Sequence, residues 1–512
     1  MKNHYDILEN GSIRLRNGLE KFQLLSAKIP HEGLILIILC SVFLTWIPRP
    51  NEEQYLALSK YFMDSSWIKN CHNLNEFAGT RLIYQIITGT LLKFLSFEQT
   101  VFVGRLMICV FYAFGLARLY RSLDFGRSMV LLQLGILYLT KQSYFAGSWI
   151  FLGFEAKSFA YGFVFLALAA FVNRHTKRML IYLVFASYFH LLVGGFVSIY
   201  LLLCLWLFDK DFDFKKTCTY GVIYLFAMLP LIIYMQSALS VDLTSVPSPS
   251  WIYTYFRNPH HTVIFRDLGY FRGIHERGVY ASIAGLILLV LVYHALIEDK
   301  IKKIAQFAIV TFLAALIFII IGAFDKEGVI LKFYLYRINA LSVFCTYLVF
   351  TFFLFQSINR KLSIHLKYFT ACLALFAIQK MANSNYENLV YDYKSSTSTF
   401  ELICADIKEK TDEDDITLLL TNKHDESLHL KFNRYAERNR FVIHKFVPAE
   451  FGKLPDWYDR LKTKESLHKD ISRLKQISEK YKIDYVLAQR SYPNLELVAE
   501  RGHYKLYDLN IK

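Results

Sequence analysis

The sequence predicts an α-helical polytopic membrane protein of about eleven transmembrane helices that ends in a small α/β domain outside the cytoplasm. Three observations lead there. Of 512 residues, 54% are hydrophobic and only 20% charged, against roughly 45–50% and 25% for soluble domains. The apolar residues come in blocks, several near the roughly 20 residues a helix needs to cross hydrocarbon. Basic residues collect on alternate loops between those blocks.

Following the chain, the first 32 residues are mixed and polar, which does not suit a cleaved signal peptide, and are read as a cytoplasmic segment. The first span is Gly33–Ile47. Later ones are Thr100–Ala117, Ser128–Thr140, Phe159–Val172, Met179–His190, Leu191–Phe208, Thr217–Leu239, Val279–Ile297, Ile304–Phe324, Tyr334–Gln356 and Tyr368–Met381. Together they delimit a membrane domain over 33–382, with large loops at 48–99 and 240–278. The stretch RPNEEQYLALSKYFMDSSWI has helical periodicity and reads as an amphipathic surface helix. Arg81–Phe97, interrupted by Gln85, Thr88 and Lys93, is read as not crossing.

That choice fixes the orientation. With a cytoplasmic N-terminus, the inner loops hold sets of three basic residues: Arg118, Arg121 and Arg127; Arg174, Lys177 and Arg178; Lys210, Lys215 and Lys216; Lys300, Lys302 and Lys303; Arg360, Lys361 and Lys367. The short outer loops carry two at most. The same rule explains the net charge of +15 without a nucleic-acid partner. The partner expected from composition is the lipid bilayer of the cell membrane.

From about residue 383 the composition turns polar and charged. Ile416–Leu420, Phe441–Phe446, Tyr485–Ala488, Leu495–Ala499 and Tyr504–Leu509 read as strands, and Phe451–Leu461 and Ser466–Tyr481 as helices. Residues 383–512 are thus expected to form a soluble extracytoplasmic α/β domain. Of eight cysteines, Cys71 and Cys404 fall outside the membrane, where a disulfide between them is one option. No CxxC pair, Walker loop, dinucleotide fingerprint, HExxH or nucleophile elbow occurs, so no cofactor or metal is called for.

Residues able to carry chemistry all fall on the outer side of the membrane in this orientation, at the ends of spans or in the outer loops. Glu52 and Glu53 follow the first span; a carboxylate there suits a general base, or equally a helix N-terminus favouring acids. Glu155 and Lys157 sit in an aromatic run before Phe159, where charges mark either a site or snorkelling to headgroups. His190 lies between two apolar runs in SYFHLLVGG. Arg257, His260 and His261 stand in YFRNPHH, within a loop also holding Arg266, Arg272, Arg277 and His275, a concentration that favours an anionic ligand. Arg337 follows Tyr334-Leu-Tyr336 at the outer start of a span, as a phosphate-holding arginine or an interfacial anchor.

Several motifs together resemble the C-type glycosyltransferase superfamily (GT-C), in particular its bacterial members. They are Glu52-Glu53 followed by QYLALSKYF, the run EAKSFAYGFVFLALAAF with its RHTKR turn and SYFHLLVGG, the arginine–proline–histidine loop, and the tail with FNRYAERNRFVIHKFVP and DWYDR. The resemblance covers most of the chain as scattered motifs. It implies a polyprenyl-phosphate-linked sugar as donor and an envelope acceptor. It also implies Glu52 or Glu53 as base, with Arg81 or Arg337 on the donor phosphate. The superfamily's acid is often aspartate, whereas this chain has two adjacent glutamates. Competing expectations are an envelope polysaccharide polymerase or flippase, a secondary transporter, for which Arg105 is the main charge within a span, and a non-catalytic scaffold.

Overall fold

A computed structural model describes residues 29–151, 153–236, 245–357, parts of 369–386, 398–421 and 426–509. The membrane part is a helical bundle. Its elements are α1 (His31–Phe43), α2 (Pro50–Met63), α3 (Leu82–Leu92), α4 (Phe97–Ser122), α5 (Arg127–Leu139), α6 (Ala156–Val172), α7 (Thr176–Phe189), α8 (Leu191–Phe208), α9 (Phe214–Gln236), α10 (Leu268–Tyr293), α11 (Asp299–Phe324) and α12 (Asn339–Ser357).

Among the described residues, six helices are long and apolar enough to cross a membrane: α4, α8, α9, α10, α11 and the segment Leu331–Ser357 that contains α12. This corrects the expected count of eleven. α1 and α5 have 13 residues each, about 20 Å of helix, well short of the roughly 30 Å of hydrocarbon. α6 with 17 and α7 with 14 are also short, and α7 starts on Lys177 and Arg178. The expected span Tyr368–Met381 and the segment 1–28 fall largely or wholly outside the described residues. Hydropathy marks a buried helix and a spanning helix alike. α6 is buried along nearly its whole length, packed against α4 and α7, so it is apolar because protein surrounds it.

The long helices show the opposite face. Large apolar side chains such as Phe226 on α9, Leu291 on α10 and Ile320 on α11 are exposed, the surface a helix presents to lipid. Inside, Gly104 on α4 lets the Phe154 ring lie directly against the backbone, where any Cβ would clash with it.

The C-terminal unit is α/β. Its elements are α13 (Thr399–Lys410), β1 (Ile416–Leu420), α14 (Phe432–Ala436), β2 (Asn439–Arg440), α15 (Leu454–Lys469), α16 (Leu474–Tyr481), β3 (Tyr485–Ala488), β4 (Glu496–Arg501) and β5 (Tyr504–Asp508). The sheet order is β2-β1-β3-β5-β4. β1 is parallel to both β2 and β3, and β5 is antiparallel to β3 and β4. Alternation sorts its side chains: Leu418 and Leu420 pack with Trp457 and Ile477 on one face, and Leu419 with Phe400 and Ile403 on the other. Gly502 takes φ 60° in the β4–β5 turn, a conformation that suits glycine.

Three expectations shift here. Phe441–Phe446 is irregular, and strand pairing stops at Arg440. The expected helix Ser466–Tyr481 is broken at Asp470, whose side chain caps a new turn by accepting from Ser472 N. α13 was not foreseen, although Ser398 caps it by accepting from Glu401 N, the Ser-x-x-Glu start signal. Cys71 and Cys404 are both free and buried, in separate apolar clusters.

The two units interlock. Asn439 donates to Asn70 O at 3.0 Å, Lys453 to Asn75 O at 3.0 Å, and Phe77 N to Glu450 Oε1 at 3.2 Å. Tyr61, Ile68 and Leu74 pack with Ile443 and Phe446. The sheet domain therefore sits on the end of the bundle from which α2 and its following loop emerge.

Candidate functional site

At that end lies a cavity of about 210 Å³. Each wall is the terminus of an element. The start of α2 contributes Asn51, Gln54 and Tyr55, and the turn before α3 contributes Arg81. Trp149, Glu155 and Lys157 come from the entry to α6, and His190 from the α7–α8 junction. The loop around the π-helical turn Ile252–Arg257 brings Tyr253, Arg257, Asn258, His260 and His261; Tyr334 and Arg337 precede α12; Lys445 comes from the sheet domain. Arg81, Glu155, Lys157, His190, Arg257, His260, His261 and Arg337, all singled out from sequence, are brought together here from across the chain.

Glu52 and Glu53 are not among them. Glu52 accepts from Arg105 Nε at 2.9 Å and Nη2 at 2.5 Å, from Phe154 N at 2.7 Å and from Arg49 N at 2.8 Å, and is fully buried. Arg105 also donates to Thr45 O at 3.2 Å and Ile47 O at 3.0 Å. Such a pair is a structural tie with its hydrogen bonds filled. Glu53, 2% exposed, lies 3.0 Å from Arg434 of the sheet domain, which also holds Glu98 at 2.6 Å. Burial lifts Glu53 to about 7, with Arg434 pulling the other way. The positions flanking these two acids reach the cavity instead: Asn51, Gln54 and Tyr55 share one helix face at i, i+3 and i+4.

The carboxylate that does line the cavity is Glu155. Asn51 Nδ2 donates to its Oε1 at 3.1 Å, and Lys157 Nζ lies 3.4 Å from Oε2. Lys157 also stands 3.2 Å above the Trp149 ring. The Trp149 indole N–H is buried with no hydrogen-bond partner, a donor open to a ligand oxygen.

Arg337 Nη1 lies 2.8 Å from His190 Nε2 and its guanidinium stacks 4.5 Å over Tyr334. Val193 N approaches His190 Nδ1 at 3.3 Å. A neutral imidazole accepts only once, so the shorter contact takes the lone pair and the ring proton rests on Nδ1. Tyr334 is left-handed, with φ 53° and ψ 48°, a costly conformation for a bulky residue; it turns the chain between two short 3₁₀ segments, the second of which carries Arg337. Arg81 lies 5.1 Å over the Tyr55 ring.

His261 Nδ1 donates to Ala146 O, 2.8 Å away, which leaves Nε2 as an acceptor. Burial first, then His260 beside it, hold His261 down to about 3. His260 is lowered too, by burial and by Arg257. Both rings are therefore neutral near pH 7. Arg257 Nη2 donates to Lys445 O at 3.4 Å. Arg266 precedes α10, and Arg272, His275 and Arg277, expected in the loop, lie in the first turns of α10 instead; the three arginines are exposed and outside the cavity lining, and His275 is buried elsewhere.

Sequence reasoning missed Lys445. Its only signal is a lysine inside the apolar run FVIHKF. Among the described residues no cluster of three or more His, Cys, Asp or Glu is arranged for a metal ion. No protein-family model and no curated protein matches the chain, so its function is argued from these residues.

Proposed function

We propose that the chain is an integral membrane glycosyltransferase-like protein, of the GT-C kind, that binds a polyprenyl-phosphate-linked sugar in this cavity on the outer face of the cell membrane. One observation carries the reading. Arg81, Lys157, Arg257, Arg337 and Lys445 line a single cavity at the end of a lipid-facing bundle, with Glu155 the one carboxylate lining it among the described residues. Cations gathered in a partly desolvated cleft focus the field on an anion, and arginine's fork suits phosphate oxygens.

The remaining groups suit the transfer. The acceptor hydroxyl oxygen attacks the anomeric carbon of the donor, and the bond from that carbon to the phosphate oxygen breaks. The bonding pair leaves with the phosphate, whose developing charge Arg81 and Arg337 meet. The hydroxyl proton goes to Glu155, held in place by Asn51. The neutral His261 Nε2 and the Trp149 indole N–H suit sugar hydroxyls, one as acceptor and one as donor. A transporter reading has less support, since Arg105, the main charge within a span, is consumed by Glu52.

The test is a titration of the purified chain in nanodiscs with a polyprenyl-phosphate hexose. Saturable binding that Arg337→Ala weakens is expected. No binding to the wild type sinks the proposal.

A further inference from the structure

The bundle has a second hollow at the end away from the sheet domain. α4 starts beside that domain, where Glu98 meets Arg434 at 2.6 Å, and runs 26 residues, about 39 Å, to the opposite end. There a crevice of about 250 Å³ opens between α4, α6 and α7. Its walls share one order along all three helices. Phe114 on α4 lies one and two turns before Arg118 and Arg121, on one helix face at i, i+4 and i+7. Leu166 on α6 stands two turns before Asn173, and on α7 Arg178 opens the helix with Tyr182 one turn deeper. Apolar groups therefore line the depth of the crevice and cations its mouth.

The hollow has a local cause. Further along the groove, rings fill the space between α4 and α7: Phe111 meets Phe163 at 4.8 Å, and Phe163 meets Phe185 at 5.3 Å. Near its end α6 presents Ala169 and Ala170 instead, which leave the groove open. Phe114 is 53% exposed, so the opening faces lipid. The frame is fixed. Asn173 Nδ2 donates to Ser122 Oγ at 2.7 Å, tying the end of α6 to that of α4, and Arg174, left-handed at φ 59°, turns the chain into α7. His175 precedes α7 without a side-chain hydrogen bond to it, so the uncapped N–H groups and dipole of α7 stand at the mouth as well. Arg121 is held by Glu32 at 2.5 Å. Among the described residues no carboxylate lines the crevice, and no ion pair holds Arg118 or Arg178.

Basic loops alone follow from the positive-inside bias. That bias does not call for a lipid-open hollow behind the charges, graded from apolar to cationic over roughly 10 Å. A phospholipid has the same gradient. We infer that this crevice holds one anionic phospholipid of the leaflet opposite the sheet domain, its phosphate between Arg118 and Arg178 and the start of its acyl chains against Phe114, Leu166 and Tyr182. Arginine forks match phosphate oxygens, and basic hollows between membrane helices suit such headgroups. The inference needs α4 to cross the bilayer and is independent of the transferase reading.

The experiment compares phosphatidylglycerol with phosphatidylcholine of the same acyl chains, each titrated into the delipidated full chain in detergent and read by native mass spectrometry. The wild type is expected to retain one phosphatidylglycerol, bound roughly tenfold tighter than phosphatidylcholine, the worth of one charge-assisted contact. Arg118→Gln with Arg178→Gln should erase that preference. Arg118→Lys with Arg178→Lys keeps the charge and should keep the preference, which sets the lost charge apart from a fold defect. Arg272→Gln with Arg277→Gln removes two exposed arginines outside the crevice and should change nothing. Equal affinity of the wild type for both lipids overturns the inference. So does a preference that survives the double glutamine change at Arg118 and Arg178, is lost with lysine there as well, or falls as far in the α10 control. Glycerol phosphate that displaces the lipid at equal concentration assigns the crevice to a soluble phosphate ester and overturns the lipid assignment.

Discussion

Arg337 Nη1 and His190 Nε2 meet at 2.8 Å across 147 residues of sequence. The histidine accepts and the arginine donates, so an uncharged ring aims a permanent cation at the cavity. Replacing His190 with alanine should leave the guanidinium untethered, weakening polyprenyl-phosphate binding by about tenfold. His190→Gln keeps a side-chain acceptor and should recover most of the loss. Equal affinities in lipid titrations of wild type and His190→Ala would show that Arg337 needs no such tether.

Glu155→Gln should separate binding from turnover. An amide keeps the hydrogen bond to Asn51 but cannot take a proton. Lipid binding should stay near the wild-type value, while sugar transfer falls by on the order of 10²–10⁴-fold. Transfer at the wild-type rate in Glu155→Gln would remove this residue as the base.

Glu52 should behave as a structural residue. Glu52→Ala leaves Arg105 as a buried charge without its counter-charge, a loss of about 3–5 kcal/mol. The double change Glu52→Ala with Arg105→Leu removes the orphan charge and should melt above the single variant in detergent. A single variant as stable as wild type would contradict the tie seen in the structure.

Stability should fall as pH rises from about 5 to 8. The folded protein holds the Glu53 proton more tightly than the unfolded chain, with a folded value of about 7. Its contribution is therefore complete below the ordinary carboxylate range and is lost as pH passes through about 7. Glu53→Gln cannot titrate and should flatten the melting-temperature profile over that interval. An unchanged profile would place the titrating group elsewhere.

Much of the cavity was legible in the sequence because several of its charged residues stand beside the ends of apolar runs. Glu155, Lys157, His190 and Arg337 stand where hydrophobic spacing stops and Arg257 in the loop between two spans, so their place at one end of the bundle follows from the pattern of spans. Rotation about α2 was not legible. One residue of helix turns a side chain by about 100°. That sends Glu52 toward α4, Glu53 toward the sheet domain and Asn51 toward the cavity. Lys445 was hidden for another reason: a lysine inside the short apolar run FVIHKF gives no hint of the cavity until the sheet domain docks. The number of crossings failed on length, since α1 and α5 share the composition of spanning helices at barely two-thirds of their reach.

The contacts between residues 70–77 and 439–453 also set a timetable. A ribosome extends the chain by about 5–20 residues per second. Between the arrival of Arg81 and that of Lys445, most of the protein must still be synthesised. Throughout that interval the bundle can be inserted while its mouth stands open and half-built. A nascent or prematurely ended chain would occupy the bilayer without Lys445 and without the wall that the final domain lends to the cavity.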